Sequence, residues 1–360
     1  MAQPTTEMPA TTTIDYDAFY SNQNITAVAP CDRSTDNYMG AYMSTFYYFI
    51  FFVSVLGNLL VLVIIHRFER LTTVTNILLL NLVLSSLIFM FSLPFLAVYQ
   101  QRSDWIFGEA MCKIVGTIYY LGFYSSVLFL TLLTFDRHLA VVYSLSAPRM
   151  RNHRYATVSC AVVWLVSLLV CVKEMLLHAT KVSGQDNRTY CQDTGGSLGT
   201  DVAERLRESG FHIQLFLFLI FPLIVITYCY VRITITVLAS QLVTKFKTVR
   251  LIFFIVVLFF VCWTPYNIAT LMNDKLHQGK PACSEVKKYA YILHVTRNLT
   301  YFYFCISPIF YTFVGKKFQN YVRQMLVKRF PRLRGHISIS GQDQCAHSRS
   351  MSTKSTQNGL

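Results

Sequence analysis

Seven stretches of this 360-residue chain are almost free of charge: Asn37–His66, Leu71–Gln101, Ile114–Phe135, Tyr155–Val172, Phe211–Val231, Leu251–Asn273 and Tyr289–Gly315. Six of them hold no Asp, Glu, Lys or Arg, and the last is interrupted only by Arg297. With 53% hydrophobic and 14% charged residues, the composition does not suit one water-soluble core. A hydrocarbon layer ~30 Å thick takes roughly 20 helical residues to cross, and each stretch is about that long or longer. Barrel strands alternate over about ten residues, whereas these runs are continuous and must pair their backbone groups within the segment. The sequence therefore predicts an all-α membrane protein, a bundle of seven transmembrane helices over 37–315. The spans fall at about 40–66, 73–100, 110–143, 155–178, 211–238, 247–273 and 286–315.

An odd number of spans puts the chain ends on opposite sides, and the basic residues say which is which. The first 41 residues carry Glu7, Asp15, Asp17, Asp32 and Asp36 against Arg33, so 5 acids against 1 base leave −4. Residues 315–360 carry nine basic residues against Asp343, a net of +8. Arg67, Arg70, Arg149, Arg151, Arg154, Lys245, Lys247 and Arg250 share the inner side in this arrangement. The N-terminal tail 1–36 is expected outside and the C-terminal end in the cytoplasm. The overall charge of +14 is on this reading a topology signal, with no nucleic-acid partner implied. Residues 1–36 lack the apolar core of a cleavable leader, so the first span is expected to act as the signal anchor. After the last span, 316–328 reads as an amphipathic eighth helix lying on lipid, with Phe318, Tyr321, Val322 and Met325 apolar. A Ser/Thr-rich tail occupies 329–360.

Ten cysteines are present. Cys31, Cys112, Cys191 and Cys283 map outside, where an oxidising compartment allows three pairings among them. Cys112 heads the third span and Cys191 lies in the long second outer loop, a natural pair that leaves Cys31 for Cys283. Asn24-Ile25-Thr26 and Asn187-Arg188-Thr189 are glycosylation sequons on the outer side. Asp136-Arg137-His138 closes the third uncharged run, and a charged pair at such a boundary needs a partner or a job. Arg297 is the other oddity, because a cation well inside a span costs a few kcal/mol unless it faces water, a partner or the outer interface. It is expected to line a ligand pocket and to accept an acidic or carbonyl group. Lys173 and Glu174 either neighbour it or neutralise each other.

Gly57-Asn58, Asn81-Leu82, Trp164, Pro222 with Tyr230, Cys262-Trp263-Thr264-Pro265 and Ser307-Pro308-Ile309-Phe310-Tyr311 occur in order at successive span depths. Over about residues 31–330 the chain thereby resembles the rhodopsin-like (class A) G-protein-coupled receptors. Ser92-Leu93-Pro94, Trp105-Ile106-Phe107-Gly108 and Asp136-Arg137-His138-Leu139-Ala140-Val141-Val142-Tyr143 resemble the chemokine receptors among them, and the additional Cys31 and Cys283 pair is typical of that branch. Tyr124-Ser125-Ser126, Tyr266-Asn267 and Arg297-Asn298-Leu299 are similar to the XC-type (lymphotactin) receptor, with CC-type receptors next. The resemblance implies a receptor for a basic chemokine, an inhibitory-type heterotrimeric G protein inside, and arrestin and a receptor kinase on the phosphorylated tail.

Asp15, Tyr16, Asp17 and Tyr20 make an acidic segment suited to tyrosine sulfation and to attracting a basic protein. Tyr47, Trp105, Tyr119, Phe123, Glu174, Tyr266, Arg297 and Tyr301 are the expected pocket residues. Trp263 before Pro265 pairs a bulky ring with a kink that frees a backbone carbonyl, which suits a hinge. At the inner surface Arg137 is expected to alternate between Asp136 and the G protein, with Tyr230, Pro308 and Tyr311 serving the open form. Ser86 stands where the family carries a sodium-holding Asp, and Ser307 replaces the Asn of the seventh-span motif. These two departures keep an atypical, scavenging receptor as the alternative. A transporter or enzyme fares worse: no inverted repeat is evident, and no Ser-His, paired-Asp or His-rich constellation lies at span depth. No catalytic residue, cofactor or metal ligand is expected; His178, His212 and His294 are scattered.

Overall fold

The computed structural model describes residues 36–68, 73–147, 151–184, 187–240, 246–277, 282–314 and 316–329. The chain divides into a unit of residues 1–36 and a unit of residues 37–360, and the second holds the helix bundle. The elements are α1 (Asp36–Phe68), α2 (Val74–Met90), α3 (Leu93–Arg102), α4 (Gly108–Val142), α5 (His153–Leu177), β1 (Ala179–Val182), β2 (Thr189–Gln192), α6 (Thr200–Leu215), a π turn (Phe216–Ile220), α7 (Phe221–Ser240), α8 (Phe246–His277), α9 (Cys283–Val314) and α10 (Lys316–Arg329). Five described helical stretches, 42–68, 74–102, 108–142, 153–177 and 200–239, have the length and composition to cross a membrane. Val256–Met272 within α8 is a shorter apolar stretch, and α9 carries Arg297 in its middle.

Helix α4 is the central column: it packs on α2, α5 and α7, and nineteen of its residues are buried. It comes close to α2 at Gly122, where an added Cβ would stand 2.5 Å from the Phe89 backbone nitrogen. Only the missing side chain lets α2 and α4 meet there. The polar residues at span depth act as stitches. Trp164 Nε1 donates to Asn81 Oδ1 at 2.9 Å, joining α5 to α2, and Ser54 Oγ donates to the Phe304 carbonyl at 2.9 Å, joining α1 to α9. Asn58 Nδ2 donates to the Ser54 carbonyl at 2.9 Å. Each bond satisfies a group that lipid cannot.

The second uncharged stretch is two helices. Pro94 has no N–H for the Met90 carbonyl, and the chain turns at Phe91-Ser92, where the Ser92 N–H and Oγ both donate to Phe89 O, at 3.2 and 2.7 Å. Helix α6, which leads into the fifth span, starts at Thr200, well before the expected 211, and carries Glu204, Arg205, Arg207 and Glu208 on its first turns. A count of uncharged residues finds the lipid boundary, whereas the hydrogen-bonded helix runs on beyond it.

Candidate functional site

The end of the bundle that holds Cys112 is closed by a hairpin. β1 pairs antiparallel with β2, and Cys191 opposite Thr180 is bonded to Cys112 with a Cα–Cα distance of 5.6 Å. This is the pairing expected for those two residues. Cys283 opens α9, and Cys31 lies outside the described residues. Trp105 is fixed under the hairpin: its N–H donates to Thr189 O at 2.8 Å and its indole Nε1 to Gly108 O at 2.8 Å. Gly108 has φ +78°, and that left-handed turn brings its carbonyl to the indole. The ring packs with Tyr99, Phe107 and Cys112 and is 2% exposed. Trp105 therefore does not join the other expected pocket residues, because its polar edge and its ring are taken up in anchoring the loop. Asn187 is exposed at the hairpin turn, while Asn24 lies outside the described residues.

Apart from Glu174, the other pocket residues do converge. Tyr47 and Tyr301 meet edge to face at 5.2 Å, and Phe89 touches Tyr119 at 4.8 Å and Tyr301 at 5.8 Å. Phe123 stacks on Trp263 at 3.8 Å and 15°, and Tyr266 meets Trp263 at 6.1 Å. Arg297 stands against this cluster, its charge coupled to the phenols of Tyr301, Tyr47, Tyr266 and Tyr119. Its described polar neighbour is His294 Nδ1 at 3.4 Å, and its buried Nε–H has no acceptor among the described residues. A guanidinium with an unspent donor amid phenols is built to receive an oxygen acceptor.

Glu174 is elsewhere. It is 3% exposed near the end of α5, paired with the adjacent Lys173, with His178 Nδ1 at 3.7 Å and the Tyr124 hydroxyl at 3.5 Å. Of the two expectations for this pair, mutual neutralisation is what the geometry gives.

At the opposite end of α4, Asp136 is fully buried and holds two cations. Arg137 reaches Oδ2 at 2.6 Å; Arg151 reaches Oδ1 through Nε at 2.6 Å and Oδ2 through its terminal nitrogen at 3.0 Å. The Thr75 hydroxyl donates to Oδ2 at 2.9 Å. Sequence reasoning gives Arg151 only as an inner-side charge. Arg137 Nε is buried without a partner among the described residues. Tyr230 packs on Phe253 at 5.2 Å. Trp263 is fully buried one turn along α8 from Phe259, and Pro265 lies inside that helix. Pro308 and Tyr311 lie within α9, outside the described side chains. Asp15, Tyr16, Asp17 and Tyr20 fall outside the described residues. An apolar groove of about 430 Å³ runs along α8 and α9, lined by Phe260, Pro265, Ile268 and Thr296 among others; of the expected site residues it touches Pro265.

Comparison with known proteins agrees with this architecture. The family description "7 transmembrane receptor (rhodopsin family)" matches residues 57–311. C-C chemokine receptor type 3 of Cavia porcellus is 34% identical over 330 residues, covering 90% of this chain and 87% of its own length. C-C chemokine receptor type 1 of Homo sapiens is 34% identical over 325 residues, covering 88% of each, and human C-C chemokine receptor type 8 is 31% identical over 330 residues, covering 90% and 88%.

Proposed function

This chain belongs to the chemokine-receptor branch of the rhodopsin-family seven-transmembrane receptors, and from that premise we propose that it binds a basic chemokine at the cell surface and activates an inhibitory-type heterotrimeric G protein. It is a receptor and not an enzyme. The output on this reading is chemotaxis and calcium signalling. The N-terminus is extracellular and the C-terminus cytoplasmic, an orientation the charge asymmetry supports. The acidic segment around Asp15, Tyr16, Asp17 and Tyr20 captures the ligand, and the cluster of Tyr47, Tyr119, Phe123, Tyr266 and Tyr301 around Arg297 receives its end. Arg297-Asn298-Leu299 favours an XC-type chemokine over a CC-type one. Asn24 and Asn187 carry glycans; residues 316–328 rest on lipid; the tail beyond recruits a receptor kinase and arrestin.

The observation that carries the signalling reading is the occupied Asp136 site. Arg137 is held by a carboxylate that a second cation also compensates, so it can leave without stranding a buried charge. Ligand and G protein each need only bind one arrangement of the helices better than the other. Cells expressing the chain should lower cyclic AMP when given lymphotactin, and Arg137→Ala should abolish that response while binding persists. Chemokine uptake by the native chain without any second-messenger change favours instead the scavenging alternative, which the replacement of acidic and amide residues by Ser86 and Ser307 supports. Binding of CC chemokines alone removes the XC assignment.

A further inference from the structure

Four buried polar side chains outside the tyrosine cluster link four helices in a row. Glu174 on α5, Tyr124 on α4, Gln214 on α6 and Asn267 on α8 are 3%, 0%, 6% and 2% exposed. The Tyr124 hydroxyl lies 3.5 Å from Glu174 Oε1 and 3.4 Å from Gln214 Oε1. A phenol has one proton to give, and an O–H···O bond usually spans about 2.7–2.8 Å, so this hydroxyl is committed to neither acceptor. Beyond it the bonds are firm: Gln214 Nε2 donates to Asn267 Oδ1 at 3.0 Å, and Asn267 Nδ2 donates to the Trp263 carbonyl at 2.9 Å. That carbonyl belongs to the turn loosened by Pro265, where one backbone bond is missing. Gln214 stands two residues before the π turn, a feature common at functional sites. Phe218 in that turn stacks on Tyr124 at 4.1 Å, and Phe123 beside it stacks on Trp263 at 3.8 Å. A polar path and an aromatic path thus run in parallel from α4 to the same tryptophan.

We propose that Tyr124, Gln214 and Asn267 are positioning residues that pass the state of the Glu174 carboxylate to the Trp263 turn. While Glu174 is balanced within the bundle by Lys173, its charge makes it the stronger acceptor for Tyr124. A cationic ligand group drawing on Glu174 weakens that claim, and the hydroxyl then donates to Gln214, reorienting the amide pair that holds the Trp263 carbonyl. The cationic trigger rests on the receptor reading above; the relay itself is a property of the bundle.

The test separates the two. Full-length protein labelled with 5-fluorotryptophan and reconstituted in lipid nanodiscs carries three fluorine probes, at Trp105, Trp164 and Trp263, with the last assigned by Trp263→Phe. Tyr124→Phe keeps the ring stack on Phe218 and removes only the hydroxyl. It is expected to shift the Trp263 resonance and leave the other two in place. In a Gln214→Leu background the same substitution should add no further shift. Additive shifts, or no movement of the Trp263 line, overturn the relay. In cells, Gln214→Leu should lower the maximal lymphotactin response about fivefold or more without changing affinity, and parallel loss of both overturns the signalling role. A native chain that ignores lymphotactin counts against the receptor reading, while the fluorine result still decides the relay.

Discussion

Removing Arg151 should make this receptor harder to activate, although Arg151 holds the resting state together. Asp136 is fully buried and balanced by Arg137 and Arg151, which are 17% and 22% exposed. Suppose activation moves Arg137 from Asp136 to the G protein. With Arg151 present, the carboxylate keeps two contacts from one cation and the Thr75 hydroxyl. With Arg151→Met, the same movement leaves a buried carboxylate with Thr75 alone. Stripping a buried ion of its partner costs about 3–5 kcal/mol, and water entering at the opening end of the bundle recovers part of it. The penalty on activation is then about 1–3 kcal/mol, or a shift of about 5- to 150-fold in the balance of resting and active forms. Basal G-protein activation, measured by nucleotide exchange on a reconstituted inhibitory G protein, should fall, and the half-maximal agonist concentration should rise, at equal surface expression. Arg137→Ala, by contrast, leaves Arg151 on Asp136, so the protein should still fold and reach the surface while failing to signal. If Arg151→Met raises basal activity, Arg151 is merely a latch on the resting state and the shared-carboxylate argument is wrong.

Gly122→Ala places a Cβ within 2.5–2.7 Å of Phe89 backbone and Cβ atoms, so it should cost about 1–3 kcal/mol and lower the melting temperature of the purified protein. Arg297→Met removes a guanidinium whose Nε has no partner among the described residues; thermal stability should hold or rise, while chemokine affinity in a radioligand assay drops by about tenfold or more, equivalent to about 1.4 kcal/mol. Unchanged affinity would remove Arg297 from the binding pocket. Ser86 spends its hydroxyl on the Leu82 carbonyl at 3.0 Å and supplies no charge, so agonist affinity should be the same in sodium and in a bulky organic cation at equal ionic strength. A sodium-dependent shift abolished by Ser86→Ala refutes this.

The helices were legible because lipid imposes one requirement on every span, a long run almost free of charge, and the chain meets it six times outright and a seventh time with only Arg297 interrupting. What the runs could not reveal is where helices continue into water. Thr200 to Gly210 is helical yet dense in charge, and nothing in its composition distinguishes it from a loop. The break at Phe91-Ser92 is of the opposite kind: Pro94 acts on its own backbone within four residues, so its effect is local.

The same distinction between local and distant partners governs the sites. Asp136 and Arg137 are adjacent, so their pairing was open to view, whereas Arg151 lies 15 residues on in sequence and meets Asp136 only in the folded chain, with its own N–H bonded to Ala147 O at 2.8 Å. The motif around Trp105 suggests a pocket residue, yet the Gly108 turn just after it directs the indole inward, an effect of backbone geometry that residue type alone does not encode. Gln214 and Asn267 illustrate the limit most sharply. Each is an amide inside an uncharged run, and an amide at that depth must find a partner because lipid offers none. That much follows from composition. That they find each other, across two helices 53 residues apart, depends on helix rotation, and the π turn beside Gln214 resets that rotation by an amount no periodicity records. A buried amide in a span therefore marks where a partner is needed, and the bulge decides which one it meets.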